Sequence, residues 1–394
     1  MMDSKAQRDI APDVLRGFAL LGILVVNIQF MGLNSTLGAR GEWVSGLANT
    51  TATFLVNALF AGKFYLLFSF LYGYSSAYII RGDPVNRRRW IGRCVALMFM
   101  GAFHFVFLWH GDILFMYGVL GLLLVAFFFR SDKTLKRSAW IIFACAATLI
   151  ALIAVLVLFA EGNVLAEADA TLVESKLDEV LRTGTFLDSI LPRVELWVFG
   201  LLSGIFLQGG LAFAAFLLGL RMARRRVLAS PIERRENSTL IRLGLVLGLP
   251  VQLVAAWAMV LNEQNANPSE AIYLCCLAVG FVSAPLLSMA YVGIIRKFVE
   301  ERPGLVMWMR PAGQVSLTVY IAQSAIASWI FGPWGLGMFQ RLETWQVFLV
   351  AFGIWLLLIY LSSRWLMRFV QGPLEWLVSL LTRTGTSSGV NSRG

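Results

Sequence analysis

Residues 104–112 have the sequence His104-Phe-Val-Phe-Leu-Trp-His110-Gly-Asp112, and they join two long apolar runs at 90–109 and 112–129. This pattern predicts a transmembrane helical hairpin, because an apolar helix of about 20 residues crosses a bilayer. The stretch contains both histidines of the chain, and His104 falls within the membrane. Ionisable groups at that depth are costly and are usually kept for a function. The sequence therefore predicts a polar site at this turn.

The composition indicates an integral membrane protein of the all-α class. The chain is 58% hydrophobic and 14% charged, with a mean hydropathy of +0.73, whereas soluble domains carry about 25% charged residues. The net charge of +10 comes from basic residues between apolar runs, where they set membrane orientation. We therefore expect the lipid bilayer, and no nucleic acid, as a partner. The cysteines lack the spacing of metal ligands, so no metal is expected.

Ten apolar segments are candidates to cross the bilayer, so we predict a polytopic bundle of about ten transmembrane helices. The segments are 13–33, 52–80, 90–109, 112–129, 139–160, 194–220, 238–262, 271–296, 313–332 and 345–367. With a cytoplasmic N-terminus, 27 of the 33 Lys and Arg residues fall on the cytoplasmic side. This asymmetry follows the positive-inside rule and predicts that both termini are cytoplasmic.

The spans divide the chain into two membrane halves. An N-terminal five-helix half that carries the polar site (1–160) and a C-terminal five-helix half (194–382) flank an extracytoplasmic loop (161–193), and a tail expected to be disordered follows (383–394). In the loop, apolar residues at helical spacing predict an amphipathic helix; they are Leu165, Ala168, Leu172, Leu177 and Leu181. The loop is either a solvated structural segment or a lid over a site. A short interfacial helix is expected at Leu374–Leu381.

Polar residues recur on single faces of the predicted helices. Arg16 and Asn27 are eleven residues apart, as are Arg93 and His104, so each pair shares a face with about 16 Å between its members. Two further stripes are Tyr65, Ser69, Tyr72 and Ser76 in the second span, and Ser316, Tyr320, Gln323 and Ser324 in the ninth. Either these stripes serve interhelical hydrogen bonds alone, or they line a tunnel that is basic at its cytoplasmic end.

His104 is the candidate catalytic base, because Asp112 or Asn27 could orient one of its ring nitrogens. The competing interpretation is a packed histidine that forms a hydrogen bond across helices. Asp112 follows Gly111 at the start of a span. It is therefore either a helix cap or the catalytic partner of His104.

Other residues are candidates to bind a substrate or cofactor. Arg16 and Arg93 lie near the predicted cytoplasmic ends of their helices, and Asp13 is expected to pair with Arg16 one turn away. Lys63, at the predicted outer start of the second span, either snorkels to the interface or holds an anion. The remaining candidates are Tyr72, Trp109, His110, Tyr320 and Gln323.

Four motifs resemble those of the bacterial YeiB-like membrane proteins. They are the opening Asp13-Val-Leu-Arg-Gly…Asn27, the segment Phe68-Ser-Phe-Leu-Tyr-Gly73, the pattern Arg87-Arg-Arg…His104…Leu-Trp-His-Gly-Asp112, and Gly313-Gln-Val-Ser-Leu-Thr-Val-Tyr-Ile-Ala-Gln-Ser. The resemblance covers nearly the whole chain. It implies a multi-pass protein of the bacterial cytoplasmic membrane with a C-terminal domain of unknown function.

The Leu-Arg-Gly…Asn opening also resembles, more distantly, the first helix of transmembrane acyltransferases of the heparan-glucosaminide acetyltransferase and sugar O-acetylating types. That resemblance implies acyl-CoA as the cytoplasmic donor and a glycan acceptor on the far side. The sugar O-acetylating enzymes often have a histidine where this chain has Asn27. The heparan enzymes have a histidine further on, where this chain has Gly38. A catalytic histidine would have to come from another helix, and His104 is the candidate.

Two functions are favoured by these patterns, and a structural or signalling membrane protein is the third alternative. In the first, the protein transfers an acyl group from acyl-CoA to a hydroxyl or amine of an envelope sugar or lipid-linked glycan. His104, oriented by Asp112, deprotonates the acceptor, and Asn27 or Tyr320 stabilises the oxyanion. In the second, the protein is a transporter or permease, and His104 and Asp112 form a proton relay or a substrate contact. Either function is compatible with an oligomer.

Overall fold

The computed structural model describes residues 10–163, 175–229, 231 and 233–383, and within these ranges it contains helices and no strand. The all-α prediction is therefore confirmed for the described residues. The first eight α-helices are α1 (Ile10–Asn27), α2 (Gln29–Gly32), α3 (Leu47–Leu55), α4 (Lys63–Ile80), α5 (Arg87–Phe107), α6 (Leu114–Leu124), α7 (Asp132–Asn163) and α8 (Lys176–Thr183).

Nine further α-helices complete the described chain. They are α9 (Ile190–Gly204), α10 (Gly210–Arg224), α11 (Arg234–Leu243), α12 (Leu249–Glu263), α13 (Glu270–Glu301), α14 (Arg310–Gln314), α15 (Ser316–Phe331), α16 (Thr344–Leu366) and α17 (Pro373–Arg383). Single π-helical turns at 205–209 and 244–248 join α9 to α10 and α11 to α12. A third, at 56–60, extends α3 towards α4.

Seven helical segments are long and apolar enough to cross a membrane: Ile10–Gly32, Leu47–Ile80, Pro84–Phe107, Asp132–Glu161, Arg234–Glu263, Glu270–Glu301 and Thr344–Leu366. An eighth candidate is a bent pair, in which Met307–Gln314 meets Ser316–Phe331 at 87°. The apolar helix Leu114–Phe127, at the fourth predicted span, is shorter. A multi-pass membrane architecture follows, while the number of ten spans and the cytoplasmic termini stay predictions.

Ion pairs link the connections between helices at each of the two ends of the bundle. At one end, Arg40 contacts Glu263 and Glu270 at 2.8 and 2.9 Å. At the other, Asp132 contacts Arg221, Arg224 and Arg225 at 4.0, 3.6 and 3.0 Å. The first end comprises connections predicted to be extracytoplasmic, and the second comprises connections predicted to be cytoplasmic. We call the first the distal end and the second the proximal end.

Glycines allow the closest approaches between helices. A Cβ at Gly313 of α14 would lie 1.7 Å from the Asp13 carbonyl oxygen, and one at Gly17 would lie 2.1 Å from that of Met309. The backbones of α1 and α14 are therefore in direct contact, which only residues without a side chain permit. This packing fixes the bent α14–α15 segment against the first span.

The two segments outside the predicted spans are described in part. Leu165, Ala168 and Leu172 of the predicted amphipathic helix lie outside the described residues, as does the tail from 384 onward. The predicted helix at Leu374–Leu381 is confirmed, since α17 contains it. Glu375 of α17 accepts hydrogen bonds from the backbone N–H groups of Leu317 and Thr318 at 2.8 and 3.2 Å, so its carboxylate satisfies the first turn of α15.

Candidate functional site

The turn between α5 and α6 places His104 and Asp112 side by side. The His104 carbonyl oxygen accepts hydrogen bonds from Leu108 N and Trp109 N at 2.8 and 2.9 Å, which closes the end of α5. The chain then reverses over residues 108–113 and enters α6 at Leu114. The side chains of both His104 and Asp112 are 0% exposed. The predicted hairpin thus buries both titratable groups at one point.

Asp112 contacts two partners with its two carboxylate oxygens. Oδ1 lies 3.0 Å from Nδ1 of His104, which is an ion-pair distance without the alignment of a hydrogen bond. Oδ2 accepts a hydrogen bond from Phe115 N at 2.7 Å and so caps the first turn of α6. Asp112 therefore both caps α6 and lies beside His104, two contacts that the sequence left as alternatives.

The other ring nitrogen of His104 is buried and has no hydrogen-bond partner among the described residues. A carboxylate at Nδ1 favours the tautomer with the proton on that atom, which leaves Nε2 with a free lone pair. A buried ring nitrogen without a partner is unusual in a packed histidine. The arrangement can accept a proton from a group that enters the site.

Tyr320 and Trp109 enclose the His104 ring. The ring centroid of His104 lies 5.1 Å from that of Tyr320 and 6.3 Å from that of Trp109. The Tyr320 hydroxyl oxygen accepts a long hydrogen bond of 3.4 Å from Ile113 N. Gln323, one turn further along α15, donates to the Leu20 carbonyl oxygen at 3.1 Å. The site therefore combines the α5–α6 turn with α15, and α15 is tied to α1.

A pocket of about 290 Å³ opens beside the site at the distal end. We call it the distal pocket; its lining is Phe30, Met31, Leu108, Trp109, His110, Leu177, Leu181, Arg193, Ser328, Phe331 and Gly332. Nε1 of Trp109 and Nδ1 of His110 are buried without hydrogen-bond partners in the described ranges. Burial is the main cause that lowers the pKa of His110 to about 4, so this imidazole is neutral near pH 7.

Arg193 is a site residue that the sequence reasoning counted only as an extracytoplasmic charge. Its side chain is 2% exposed, and its guanidinium donates to the Phe107 carbonyl oxygen at 3.0 Å. The guanidinium carbon lies 5.0 Å from the ring centroid of Trp334. The signal that could have identified it is a lone arginine at the start of an apolar run, where a cation is costly.

Helix α8 covers the distal pocket. Leu177 and Leu181 of its apolar face line the pocket. Asp178, between them, accepts a hydrogen bond from Ser35 N at 2.9 Å, and Ser175 contacts the Ser35 hydroxyl at 2.7 Å. The described part of the predicted amphipathic helix therefore lies over the distal pocket.

The arginines predicted to bind a cofactor lie away from this pocket. The expected Arg16–Asp13 pair is confirmed at 2.9 Å. Nε of Arg93 is buried without a hydrogen-bond partner in the described chain. Neither arginine lines either of the two pockets described here. No hydrogen bond or ion pair joins Asn27, at the end of α1, to His104 or Asp112 within the described ranges.

The stripe on α4 is packed. Ser69 contacts the Tyr117 hydroxyl at 2.6 Å, and the Tyr72 hydroxyl lies 3.7 Å from the Cys94 sulfur. The Tyr72 ring packs against Phe216, with 4.7 Å between the centroids. These contacts correspond to interhelical bonding, and neither described pocket follows the stripe as an open tunnel.

The prediction that Lys63 snorkels from the outer start of its span is wrong. The helical segment that contains Lys63 begins at Leu47, so the residue lies well inside the segment. Its side chain is 0% exposed, and Nζ donates to the Asn57 carbonyl oxygen at 2.6 Å. The predicted span 52–80 already began well before Lys63, so the error lay in placing this residue at the outer start.

Comparisons with known proteins agree with these motifs. Residues 222–385 match a family model described as a protein of unknown function (DUF418); this region includes Tyr320 but not His104. The uncharacterized protein YxaH of Bacillus subtilis (strain 168) is 28% identical over 391 residues, covering 93% of this chain and 92% of that protein. The uncharacterized protein YeiB of Escherichia coli (strain K12) is 26% identical over 393 residues, covering 95% of this chain and 96% of YeiB. The chain is therefore similar to the YeiB-like proteins over nearly its whole length.

Proposed function

We propose that this protein is a membrane-embedded acyltransferase in which His104 is the general base. The observation that carries the proposal is the buried pair of His104 and Asp112, with 3.0 Å between Nδ1 and Oδ1 and no described partner at Nε2. A carboxylate that orients one ring nitrogen while the other is free is the arrangement that activates hydroxyl and amine nucleophiles.

The reaction follows from the free nitrogen. Nε2 of His104 takes the proton of the acceptor hydroxyl or amine, and the acceptor atom forms a bond to the thioester carbonyl carbon of acyl-CoA. The C–S bond then breaks, and the imidazolium returns the proton to the CoA thiolate. Asp112 stabilises the imidazolium while it exists. The Tyr320 hydroxyl, which only accepts in its described hydrogen bond, can donate to the oxyanion.

The distal pocket is the proposed entrance for the acceptor. Trp109 lines this pocket and also packs on the His104 ring, which itself does not line the pocket, so an acceptor must displace the Trp109 ring to reach the base. The unpartnered Nε1 of Trp109 and the aromatic walls suit a hydroxyl-rich acceptor such as an envelope sugar. The extracytoplasmic position of this end and the bacterial cytoplasmic membrane as the location are part of the proposal.

The donor enters from the proximal end in this scheme. Arg16 and Arg93 bind the phosphates of acyl-CoA through charge-assisted hydrogen bonds. Arg93 and His104 lie on one face of α5 about 16 Å apart by helical rise, a distance that an extended pantetheine arm bridges. Because the Ser69, Tyr72 and Tyr117 contacts close this route, donor binding must part them.

Transport is the second candidate, and two features of the fold favour it. The segment Leu47–Ile80 is interrupted at Gly62, which has φ +82, and the α14–α15 pair bends by 87°. Interrupted helices near the centre of a membrane form substrate sites in transporters. In this case the polar site at His104 and Asp112 binds the transported substrate, and no reaction takes place there.

Binding of acetyl-CoA and longer acyl-CoAs to purified protein in nanodiscs tests the donor part. We expect micromolar binding that is weakened at least tenfold in Arg16→Ala and Arg93→Ala and is retained in His104→Ala. The control is Arg81→Ala, which removes an exposed arginine at the same end. If no acyl-CoA binds, the acyltransferase proposal is wrong, and transport assays in liposomes follow.

A further inference from the structure

Lys63 lies in a second site, apart from the His104 pair. It is the first residue of α4, and its side chain is 0% exposed. The helical chain from Leu47 to Phe60 precedes it within the same candidate span. A lysine at this depth has no route to water along its own helix, so its charge must be satisfied inside the protein.

The ammonium group of Lys63 has no carboxylate beside it among the described residues. Its single described hydrogen bond goes to the Asn57 carbonyl oxygen at 2.6 Å. An ammonium group carries three N–H donors, so two are left for another acceptor. A buried cation without a counter-ion is strongly unfavourable, so the charged form of Lys63 needs an anion beside it.

The start of α4 adds positive potential at the same place. The helix is 18 residues long, and its N-cap is Gly62, which gives no side-chain hydrogen bond. The first N–H groups of a helix lack intrahelical partners and carry the positive end of the helix dipole. Their charge adds to that of the Lys63 side chain.

Lys63 lines a pocket of about 270 Å³. We call it the mid-helix pocket; its lining is Asn57, Ala61, Lys63, Gln252, Ala255, Ala256, Met259, Cys276, Leu277, Gly280 and Phe281. The Gln252 amide nitrogen donates to the Gly280 carbonyl oxygen and to Ser283 Oγ at 2.7 and 2.8 Å. Gln252 is thereby held in place, and Lys63 is the lining cation.

We propose that the mid-helix pocket binds the carboxylate of an aliphatic acid, with Lys63 as its counter-ion. One cation and space for a small headgroup match a monovalent anion better than a phosphate. Ala255, Ala256 and Leu277 provide an apolar wall for the chain, and Met259 is a flexible side chain that can move aside to lengthen the pocket. The site is independent of the proposed acyl transfer, because it needs neither His104 nor the distal pocket.

Equilibrium binding of radiolabelled octanoate to the full chain in nanodiscs tests the proposal, with empty nanodiscs as the background. We expect saturable binding of one octanoate per chain, at least tenfold weaker in Lys63→Met. Octanol, which has the same chain without the charge, should not compete. Lys133→Met, which removes an exposed lysine, should bind as the wild type does, and so should His104→Ala.

A second variant decides the matter if Lys63→Met does not fold. Ala256→Phe keeps the lysine and fills the pocket, so it should also abolish octanoate binding. The proposal is overturned if octanoate does not bind above background, if octanol competes equally, or if neither variant lowers the affinity. Saturable octanoate binding together with no acyl transfer by the wild-type protein would reject the proposed function alone.

Discussion

At the scale of single residues, Asp112 combines a structural and a chemical contact. Its Oδ2 caps α6 through Phe115 N, while its Oδ1 lies beside His104. The cap holds the carboxylate still, so the His104 ring meets an oriented partner. The sequence predicted both contacts as alternatives, because a capping aspartate and a catalytic aspartate look alike when only spacing is known. The contribution of Tyr320 to the same site depends on tertiary packing, which spacing does not reveal.

His110 should make the protein less stable at acidic pH. Its folded pKa of about 4 lies below the ordinary value of 6.5, mainly because of burial. Between these values the unfolded chain binds the proton more tightly, so the stability contribution is complete above pH 6.5 and declines as the pH falls towards 4.

Thermal unfolding of wild type and His110→Gln between pH 4 and 8 measures this effect. We expect the melting temperature of the wild type to drop more steeply below about pH 6.5 than that of the variant. Parallel curves would contradict the assigned burial of His110.

At the scale of elements, the hairpin and the apolar runs were predictable and the interruptions were not. The length of each apolar run located the segments, since each span must be apolar for about 20 residues. The break before Lys63 and the bend at α14–α15 arise from local backbone conformation and helix packing. Neither leaves a strong hydropathy signal, so the position of Lys63 inside its helical segment was not predicted.

Gly313→Ala should destabilise the contact between α1 and α14. The added Cβ would lie 1.7 Å from the Asp13 carbonyl oxygen, and the backbones must separate to accept it. Overpacking of this kind costs about 1–3 kcal/mol.

A thermal unfolding series in nanodiscs checks this prediction, with Gly304→Ala as the matched control. A Cβ at Gly304 meets nothing within 4 Å among the described residues, so its melting temperature should stay close to that of the wild type. Equal melting temperatures for the two variants would show that α1 and α14 are not in the described contact.

At the scale of the whole molecule, the two ends of the bundle differ in chemistry. Basic residues surround Asp132 at the proximal end, while α8 and the distal pocket lie at the other end. The alternation of Lys and Arg along the chain predicted this division, because basic residues set orientation. The absolute orientation and the number of spans depend on the membrane, and hydropathy alone does not decide them for the short α6 or the bent α14–α15 pair.

Thiol labelling of single cysteines, introduced after the four native cysteines are replaced by serine, tests the predicted orientation. Thr36→Cys lies at the distal end and Ser131→Cys at the proximal end, and both positions are exposed. A membrane-impermeant reagent should label the first variant in intact spheroplasts and the second only after permeabilisation. The reverse pattern would show that the protein has the opposite orientation, with the distal pocket on the cytoplasmic side.

The most direct test of the central claim is the rate of acyl-CoA thioester consumption by the protein in nanodiscs, with mixed sugar and amine acceptors. We expect turnover by the wild type and by Lys133→Gln, and a rate lower by about 100-fold or more in His104→Gln, because a general base is lost. Binding of acyl-CoA should be unchanged in His104→Gln. Equal rates in the wild type and His104→Gln would contradict the assignment of His104 as the base.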